Sequence, residues 1–269
     1  DVNAAIYKYA AVLPEPNTSV YDYHRKFGAP AAERIRQFER NTTPAENRIV
    51  GGGTTSTLSV IIQTSVCGAT LISDSRVLTA AHCYNDGNSI ASSFVVVLGS
   101  NLLFNGGTRI TTSNFVMYPG YNPLIAANDI GIIPITPVSF IQIQPIILPS
   151  GSELNLNYVG YTALASGYGT TRDGFVGLLQ TINSVNVQVI SNSDCGASYL
   201  GLQNSHLCTS GAGGVGICQG DSGGPLITTV NNRRILIGIG SFVSSNGCQA
   251  GNPSGFTRVT SFTNWIHSI

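Results

Sequence analysis

The chain has 269 residues, a formal net charge of zero and 10% charged residues, well under the roughly 25% typical of globular proteins. A neutral chain has no electrostatic attraction for nucleic acid or an acidic membrane surface, so we expect neither as a partner. No run approaches the roughly 18 consecutive apolar residues that a membrane-spanning helix requires. The length allows one or two domains with a well-buried core.

The charged residues divide the sequence into two unequal parts. Residues 1–48 hold seven of the thirteen basic residues and six of the thirteen acidic ones, and residues 49–269 contain no Lys. The boundary falls in the polar segment Asn41–Arg48, whose Pro and lack of apolar periodicity predict an exposed linker. We therefore expect a short segment, residues 1–48, before a larger domain, residues 49–269.

The first part contains one helical pattern. Residues Ala31–Arg40 predict a short helix on which Ile35 and Phe38 share a face. Two alternatives remain at this point: the helix docks on the larger part, or it is a mobile tail with nascent helicity. Possible N-glycosylation sequons begin at Asn17 and Asn41.

The second part consists of short β-rich runs separated by turn clusters, which predicts an all-β sandwich or a pair of barrels. Its tail, Ser261–Ile269, has apolar residues at three- and four-residue spacing and predicts a helix. The predicted strands are Leu58–Thr64, Ala69–Ser73, Phe94–Leu98, Ile130–Ile135, Val185–Ile190, Pro225–Thr229 and Leu236–Phe242.

The cysteines all lie in the second part and are even in number. Without a paired CxxC metal pattern, they predict three disulfides and an oxidising, extracellular compartment. The chain begins at Asp1 with a mixed polar segment, as expected of a secreted protein whose signal peptide has been removed. The six residues are Cys67, Cys83, Cys195, Cys208, Cys218 and Cys248.

Three separated motifs carry residues for nucleophilic catalysis. His82 lies in TAAHC, Asp129 in NDIGI and Ser222 in the Gly-rich turn GDSGGP. A Ser hydroxyl is a poor nucleophile until a base accepts its proton, and His is such a base. A buried carboxylate fixes the His tautomer and stabilises the imidazolium. Each motif alone has a structural explanation, but the three together indicate an acyl-transfer site.

These motifs, in the order His, Asp, Ser, resemble the chymotrypsin/trypsin family of serine proteases over residues 49–269. The resemblance implies an all-β fold of two packed six-stranded antiparallel Greek-key β-barrels with a C-terminal helix. The barrels would span about residues 49–155 and 156–269, and a propeptide of residues 1–48 would precede them.

The resemblance also assigns roles. His82 is the general base, Asp129 orients it, and Ser222 attacks the scissile carbonyl. The backbone amides of Gly220 and Ser222 form the oxyanion hole, and Ser241 lies beside the buried Asp. The implied disulfides are Cys67–Cys83, Cys195–Cys208 and Cys218–Cys248.

The sequence RIVGG at Arg48 and Ile49 resembles the family's activation junction. Cleavage after Arg48 would free the α-amino group of Ile49 to pair with Asp221 and order the oxyanion hole. The intact chain is thus expected to be a zymogen with little activity. Residues 1–48 contain no Cys, so we expect this propeptide to leave after cleavage.

The resemblance predicts which substrates the pocket accepts. Gly216 would form its base, where trypsin-like members have an Asp, so a basic side chain would lack a partner. Val243 and Ser254 would form the walls, where chymotrypsin-like members usually have Gly. The choice between aromatic and medium apolar residues stays open, and a trypsin-like protease is expected to perform the activating cleavage after Arg48.

We expect no cofactor and no metal ion, since no Asp or Glu lies between Gly87 and Asn128 to bind calcium. The absence of Lys from the larger part fits a digestive lumen, where Arg keeps its charge at high pH. Expected partners are polypeptide substrates, the activating protease and protein protease inhibitors, and we expect a monomer. The alternatives are a catalytically silent homologue that binds or regulates, and a signalling protease.

Overall fold

The computed structural model describes residues 20–40, 57–62, 65–100, 102–139, 143–173 and 182–269. The predicted activation junction at Arg48 and Ile49 and the sequons at Asn17 and Asn41 lie outside these ranges. No helix within the described ranges is long and apolar enough to cross a membrane.

The first half of the larger part is an antiparallel sheet. Runs rich in Val and Ile form its inner strands, because β-branched side chains favour extended backbone. Its strands are β1 (Thr57–Ile62), β2 (Ser65–Leu71), β3 (Arg76–Thr79), β4 (Phe94–Leu98), β5 (Thr108–Thr112), β6 (Val116–Met117) and β7 (Gly131–Pro134). Their order in the sheet is β5-β4-β1-β2-β3-β7-β6.

The second half is a closed barrel of six antiparallel strands in the order β10-β13-β12-β11-β8-β9. Its core consists of inward-facing apolar residues such as Leu207, Ile237 and Phe256. The strands are β8 (Thr162–Gly167), β9 (Asn183–Ile190), β10 (His206–Thr209), β11 (Pro225–Val230), β12 (Arg233–Phe242) and β13 (Ser254–Arg258).

The predicted all-β fold of two antiparallel barrels is confirmed, with one addition. The first sheet has a seventh strand, β6, which is only two residues long and pairs with β7. The predicted strand runs all lie on or next to observed strands, and Phe94–Leu98 coincides with β4.

Helical structure is short. The predicted C-terminal helix is present as α3 (Thr263–Ser268), which follows a 3-10 turn at Val259–Ser261. Ile266 of α3 is fully buried. The other helical elements are α1 (Ala29–Glu39), α2 (Asn192–Gly196), a π-helical turn (His24–Gly28), and 3-10 turns at Ala81–Cys83, Gly151–Asn155 and Ala212–Gly214.

Residues 20–40, which we call the N-terminal segment, pack on the larger part. Within this segment α1 matches the predicted helix. Ile35 is buried in a cluster with Val66, Val97 and Leu103. Of the two alternatives left open by the sequence, the structure therefore has the docked helix.

All three implied disulfides are present, and each lies within one of the two halves. Cys67–Cys83 joins β2 to the turn that carries His82. Cys195–Cys208 lies within the barrel half, and Cys218–Cys248 joins two loops near Ser222. No free cysteine is present.

The two halves touch backbone to backbone at Gly68 of β2. Its N–H donates a hydrogen bond to the carbonyl oxygen of Ser222 at 2.7 Å. A Cβ atom added at Gly68 would lie 2.7 Å from the Cα of Gly224. A side chain here would therefore push the Ser222 turn away from the first sheet.

We predict that Gly68→Ala lowers the free energy of unfolding by about 1–3 kcal/mol, because the added methyl meets backbone atoms that cannot rotate away. Gly196→Ala in α2 is the matched control, since an added Cβ there meets nothing within 4 Å. The control should be neutral or stabilising by up to about 1 kcal/mol. Urea unfolding of both variants measures this difference, and equal stabilities would contradict the steric argument.

Candidate active site

His82 and Asp129 form a pair with no solvent exposure. His82 lies in the 3-10 turn Ala81–Cys83 directly after β3, and Asp129 lies just before β7, the strand that pairs with β3. His82 Nδ1 is 2.7 Å from Asp129 Oδ2, and the His82 backbone N–H donates to Asp129 Oδ1 at 2.9 Å. Both carboxylate oxygens therefore hold the same residue, which fixes the orientation of the imidazole.

The barrel supplies two further hydrogen bonds to Asp129. The Ser241 hydroxyl donates to Oδ2 at 2.6 Å, and the Thr257 hydroxyl donates to the Asp129 carbonyl at 2.7 Å. The register of β12 against β13 shifts between Gly240 and Phe242. This irregularity leaves Ser241 as an extra residue on β12, and a bulge of this kind can re-aim a side chain.

Ser222 lies in the turn before β11 and is 7% exposed. The turn needs glycine, since Gly220 has φ +101° and Gly223 has φ +81°. At Gly223 a Cβ would also lie 2.2 Å from the Thr79 hydroxyl and 2.4 Å from the Gly68 carbonyl. The GDSGGP motif is thus required by geometry as well as by chemistry.

Tyr23 of the N-terminal segment lies in this site and is 1% exposed. Its ring packs edge-on against the His82 ring, with the centroids 4.8 Å apart. Its phenol O–H donates to the Val66 carbonyl at 2.8 Å, and Ser222 and the Gly220 backbone lie close to the phenol. Burial raises the pKa of Tyr23, so the phenol stays neutral.

The Ser222 hydroxyl and the His82 imidazole are not hydrogen-bonded to each other. The Nε2 atom of His82 is buried and finds no hydrogen-bond partner within the described residues. This nitrogen is the one that can accept a proton from Ser222, because Nδ1 is held by Asp129. The residues that nucleophilic catalysis would need are therefore present, but the hydrogen bond from Nε2 to Ser222 is not formed.

Two cavities lie near the turn that carries Asp221 and Ser222. The smaller one holds only about 10 Å³ and is lined by Tyr23, Ser222, Ser241 and Val243, among others. A volume of this size is about that of one water molecule. Tyr23 thus leaves no room there for a substrate side chain.

The larger cavity, about 310 Å³, is lined by Asp221, the residue before Ser222. Gly216 lines this cavity rather than the small one. Ser254 fills the space over Gly216, where an added Cβ would lie 2.5 Å from the Ser254 hydroxyl, and that hydroxyl accepts the Ile217 N–H at 3.3 Å. The predicted base and wall of the pocket therefore touch each other.

Asp221 is the only carboxylate among the described residues that line the larger cavity. Its Oδ1 accepts the Gly169 N–H at 2.7 Å and its Oδ2 accepts the Cys218 N–H at 2.9 Å. No ion pair to Asp221 occurs within the described ranges. Burial raises the pKa of its carboxyl to about 6, against the opposing effect of the two N–H donors.

The match to a known family extends over most of the chain, since residues 48–266 fit the family model described as Trypsin. The chain belongs to the trypsin family. Collagenase from Hypoderma lineatum is 39% identical over 203 residues, which cover 74% of this chain and 74% of that protein. Brachyurin from Leptuca pugilator is 37% identical over 207 residues, or 75% of this chain and 86% of that protein.

Two further similarities agree with this family. Chymotrypsin from Phaedon cochleariae is 37% identical over 210 residues, covering 75% of this chain and 71% of that protein. The solved structure titled HL collagenase superposes with a TM-score of 0.71 at 34% identity, covering 82% of this chain and 97% of that chain. The trypsin-family fold is thus supported by sequence and by structure.

The structure of this trypsin-family chain joins His82, Asp129 and Ser241 by hydrogen bonds and packs the Ser222 turn against β2, while their catalytic roles stay predictions. It adds Tyr23, which sequence reasoning missed. Nothing in the sequence around Tyr23 distinguishes it from the other aromatic residues of the first part. Only its contacts with residues 43 to 199 positions away reveal its place.

The raised pKa of Asp221 leads to a pH prediction for the intact chain. Between the ordinary value of 3.8 and about 6, the folded chain keeps a proton on Asp221 that the unfolded chain has lost. The contribution of Asp221 to the free energy of unfolding therefore falls as the pH rises through this window. Carboxyl ¹³C NMR, assigned with Asp221→Asn, should give a midpoint near pH 6, and a midpoint at or below 3.8 would contradict this environment.

Proposed function

We propose that the chain is the precursor of a secreted serine endopeptidase that cleaves peptide bonds after apolar or aromatic residues. The observation that carries this proposal is the buried His82–Asp129 pair, held from both halves of the fold beside Ser222. A purely structural ion pair does not explain why the buried His82 Nε2 has no hydrogen-bond partner within the described residues.

In the proposed reaction, His82 acts first as a general base and then as a general acid. Ser222 Oγ attacks the scissile carbonyl while His82 Nε2 takes its proton, and Asp129 stabilises the imidazolium. The amides of Gly220 and Ser222 hold the oxyanion, a contribution of about 3–4 kcal/mol per donor. The amine then leaves with the proton from His82, and water hydrolyses the acyl-enzyme by the same route.

Activation is proposed to follow cleavage after Arg48. The new α-ammonium group of Ile49 would enter the larger cavity and pair with Asp221. The volume of about 310 Å³ next to a buried carboxylate supports this proposal. A buried ion pair is favourable only when its geometry compensates for desolvation, and the Gly169 and Cys218 amides already fix the Asp221 carboxylate.

The proposed substrate class follows from the side chains of the predicted pocket. Gly216, the predicted base, lines the larger cavity and carries no acid, and Asp221 in the same cavity would be paired with the Ile49 amine, so a Lys or Arg side chain would have no counter-charge. Val243 lines the small cavity beside Ser222 and limits its depth. Relatives are named collagenase, brachyurin and chymotrypsin.

Secretion and a digestive role are part of the same proposal. Three disulfides fit an oxidising compartment, and the larger part has no Lys for trypsin to cut after. We propose a monomer whose partners are polypeptide substrates, a trypsin-like activator and protein protease inhibitors. A catalytically silent homologue is the weaker alternative, because His82, Asp129 and Ser222 are all present.

The direct test is to treat the chain with trypsin and to assay peptide substrates with Leu, Phe, Ala or Arg before the scissile bond. We expect activity only after treatment, on the apolar and aromatic substrates. Activity on none of them would refute the enzyme, and strong cleavage after Arg would refute the pocket assignment.

We predict that Asp129→Asn lowers kcat of the activated chain by roughly 10⁴-fold near neutral pH, because the imidazole loses the partner that fixes its tautomer. Asp74→Asn is the control, since Asp74 is exposed on the surface. Steady-state kinetics on one peptide substrate measure both variants. A loss of less than tenfold in Asp129→Asn would show that the pair does not serve catalysis.

We predict that Val243→Gly shifts the preference of the activated chain toward aromatic side chains. Removing the isopropyl group deepens the cavity beside Ser222, and such a change in an apolar pocket alters discrimination by about 10–200-fold. The ratio of kcat/KM for Phe and Ala substrates should therefore rise at least about tenfold. An unchanged ratio would mean that Val243 does not form the pocket wall.

A further inference from the structure

We propose that the N-terminal segment is an inhibitor of the catalytic cleft that remains bound after the Arg48–Ile49 bond is cut. The segment acts through Tyr23, and its departure is a second activation step. This inference rests on the proposed protease function of Ser222.

The phenol of Tyr23 occupies the space that a substrate needs. With Ser222 it lines the small cavity, and it lies close to the backbone of Gly220, which is proposed to hold the oxyanion. Its O–H donates to the Val66 carbonyl on β2. With its ring against His82, Tyr23 covers the nucleophile, the base and one oxyanion donor at once.

The backbone conformation of the segment at Tyr23 suits an inhibitor and not a substrate. The Tyr23 backbone is helical, with φ −55° and ψ −46°, and it leads into the π-helical turn His24–Gly28. Protease substrates lie extended along a strand edge, as in other cases of peptide recognition by β-strand addition. Within residues 20–40, it is the Tyr23 side chain that reaches the cavity beside Ser222, so this part of the segment offers no peptide bond for attack.

One anchor of the segment is Glu39 at the end of α1, which is 4% exposed. Its carboxylate accepts the backbone N–H groups of Leu103 and Phe104 at 2.6–3.0 Å and the Asn105 side-chain amide at 2.9 Å. Arg36 lies over the Phe104 ring, 4.6 Å from its centroid. Undocking the segment would leave these buried N–H donors without an acceptor, which is unfavourable, so Glu39 should contribute strongly to the binding of the segment.

A second anchor lies on the loop that follows His82. The buried Asp86 accepts the His24 backbone N–H at 2.9 Å, and its carbonyl accepts the Asp22 N–H at 3.0 Å. The Asn88 side-chain amide donates to Asp22 at 3.0 Å, and His24 Nδ1 is 2.9 Å from the Ser65 hydroxyl. Tyr23 is therefore held in place from both sides.

None of these contacts depends on the bond between Arg48 and Ile49. They join residues 22–39 directly to residues 65–105, and no disulfide links the two parts. Cutting the junction leaves every one of them intact. The bound segment should therefore dissociate reversibly, and the activity of the cleaved chain should depend on its concentration.

The test needs a cut at the junction alone, because trypsin would also attack the basic residues of the segment. In the full-length chain, residues 44–48 are changed to the enteropeptidase sequence by Pro44→Asp, Ala45→Asp, Glu46→Asp, Asn47→Asp and Arg48→Lys. After cleavage, gel filtration measures whether the segment co-elutes with residues 49–269. Activity on a small peptide substrate is measured over a dilution series.

We expect co-elution and little activity at high concentration, with specific activity rising on dilution. Tyr23→Ala should raise the dissociation constant of the segment at least about 100-fold, as for a buried aromatic anchor, and Tyr23→Phe about tenfold. Glu39→Gln should raise it about tenfold or more, because one oxygen becomes a donor facing N–H groups. Glu33→Gln in the same helix is the matched control, since Glu33 is exposed, and should leave it unchanged.

The outcomes separate the two proposals. Elution of the segment apart from residues 49–269, with full activity at every concentration, would overturn the inhibitor and leave the protease in place. Equal binding by the Glu39→Gln and Glu33→Gln variants would overturn the assigned anchor. Co-elution together with inactivity even after the segment has been removed would instead refute the protease function.

Discussion

The buried carboxylate of Asp129 is the constraint on which the rest of the site depends. An unpaired charge in a protein interior is strongly unfavourable, so Asp129 can be buried only where donors converge on it. The first sheet supplies His82, and the barrel supplies the Ser241 hydroxyl. The two halves must therefore close on each other for the carboxylate to be satisfied, and the same closure packs the Ser222 turn against β2.

Close backbone contact makes this closure possible. Gly68 and Gly224 let β2 and the Ser222 turn approach without an intervening side chain, and the Cys67–Cys83 disulfide holds the His82 turn against β2. Because the two halves approach so closely, one side chain of the N-terminal segment can contact both of them. The phenol of Tyr23 lies against Val66 of the first sheet and near Ser222 of the barrel half, so the packing that forms the site also allows Tyr23 to block it.

The sequence was sufficient for the parts of the site that depend on local motifs. His82, Asp129 and Ser222 lie in short patterns with a defined chemical logic, and the strand Phe94–Leu98 follows from its β-branched residues. Tyr23 could not be predicted, because its partners lie 43 or more positions away and no local pattern marks it. The irregularity that turns Ser241 toward Asp129 is likewise a property of strand pairing and not of the residue.

The most direct test of the account is covalent labelling of the chain by diisopropyl fluorophosphate, followed by peptide mapping, once the segment has been cleaved and removed. We predict a single phosphorylated residue, Ser222, because its proposed general base, His82, is held by the buried Asp129 carboxylate. An unlabelled Ser222 in a chain that circular dichroism shows to be folded, or a label on another serine, would contradict it.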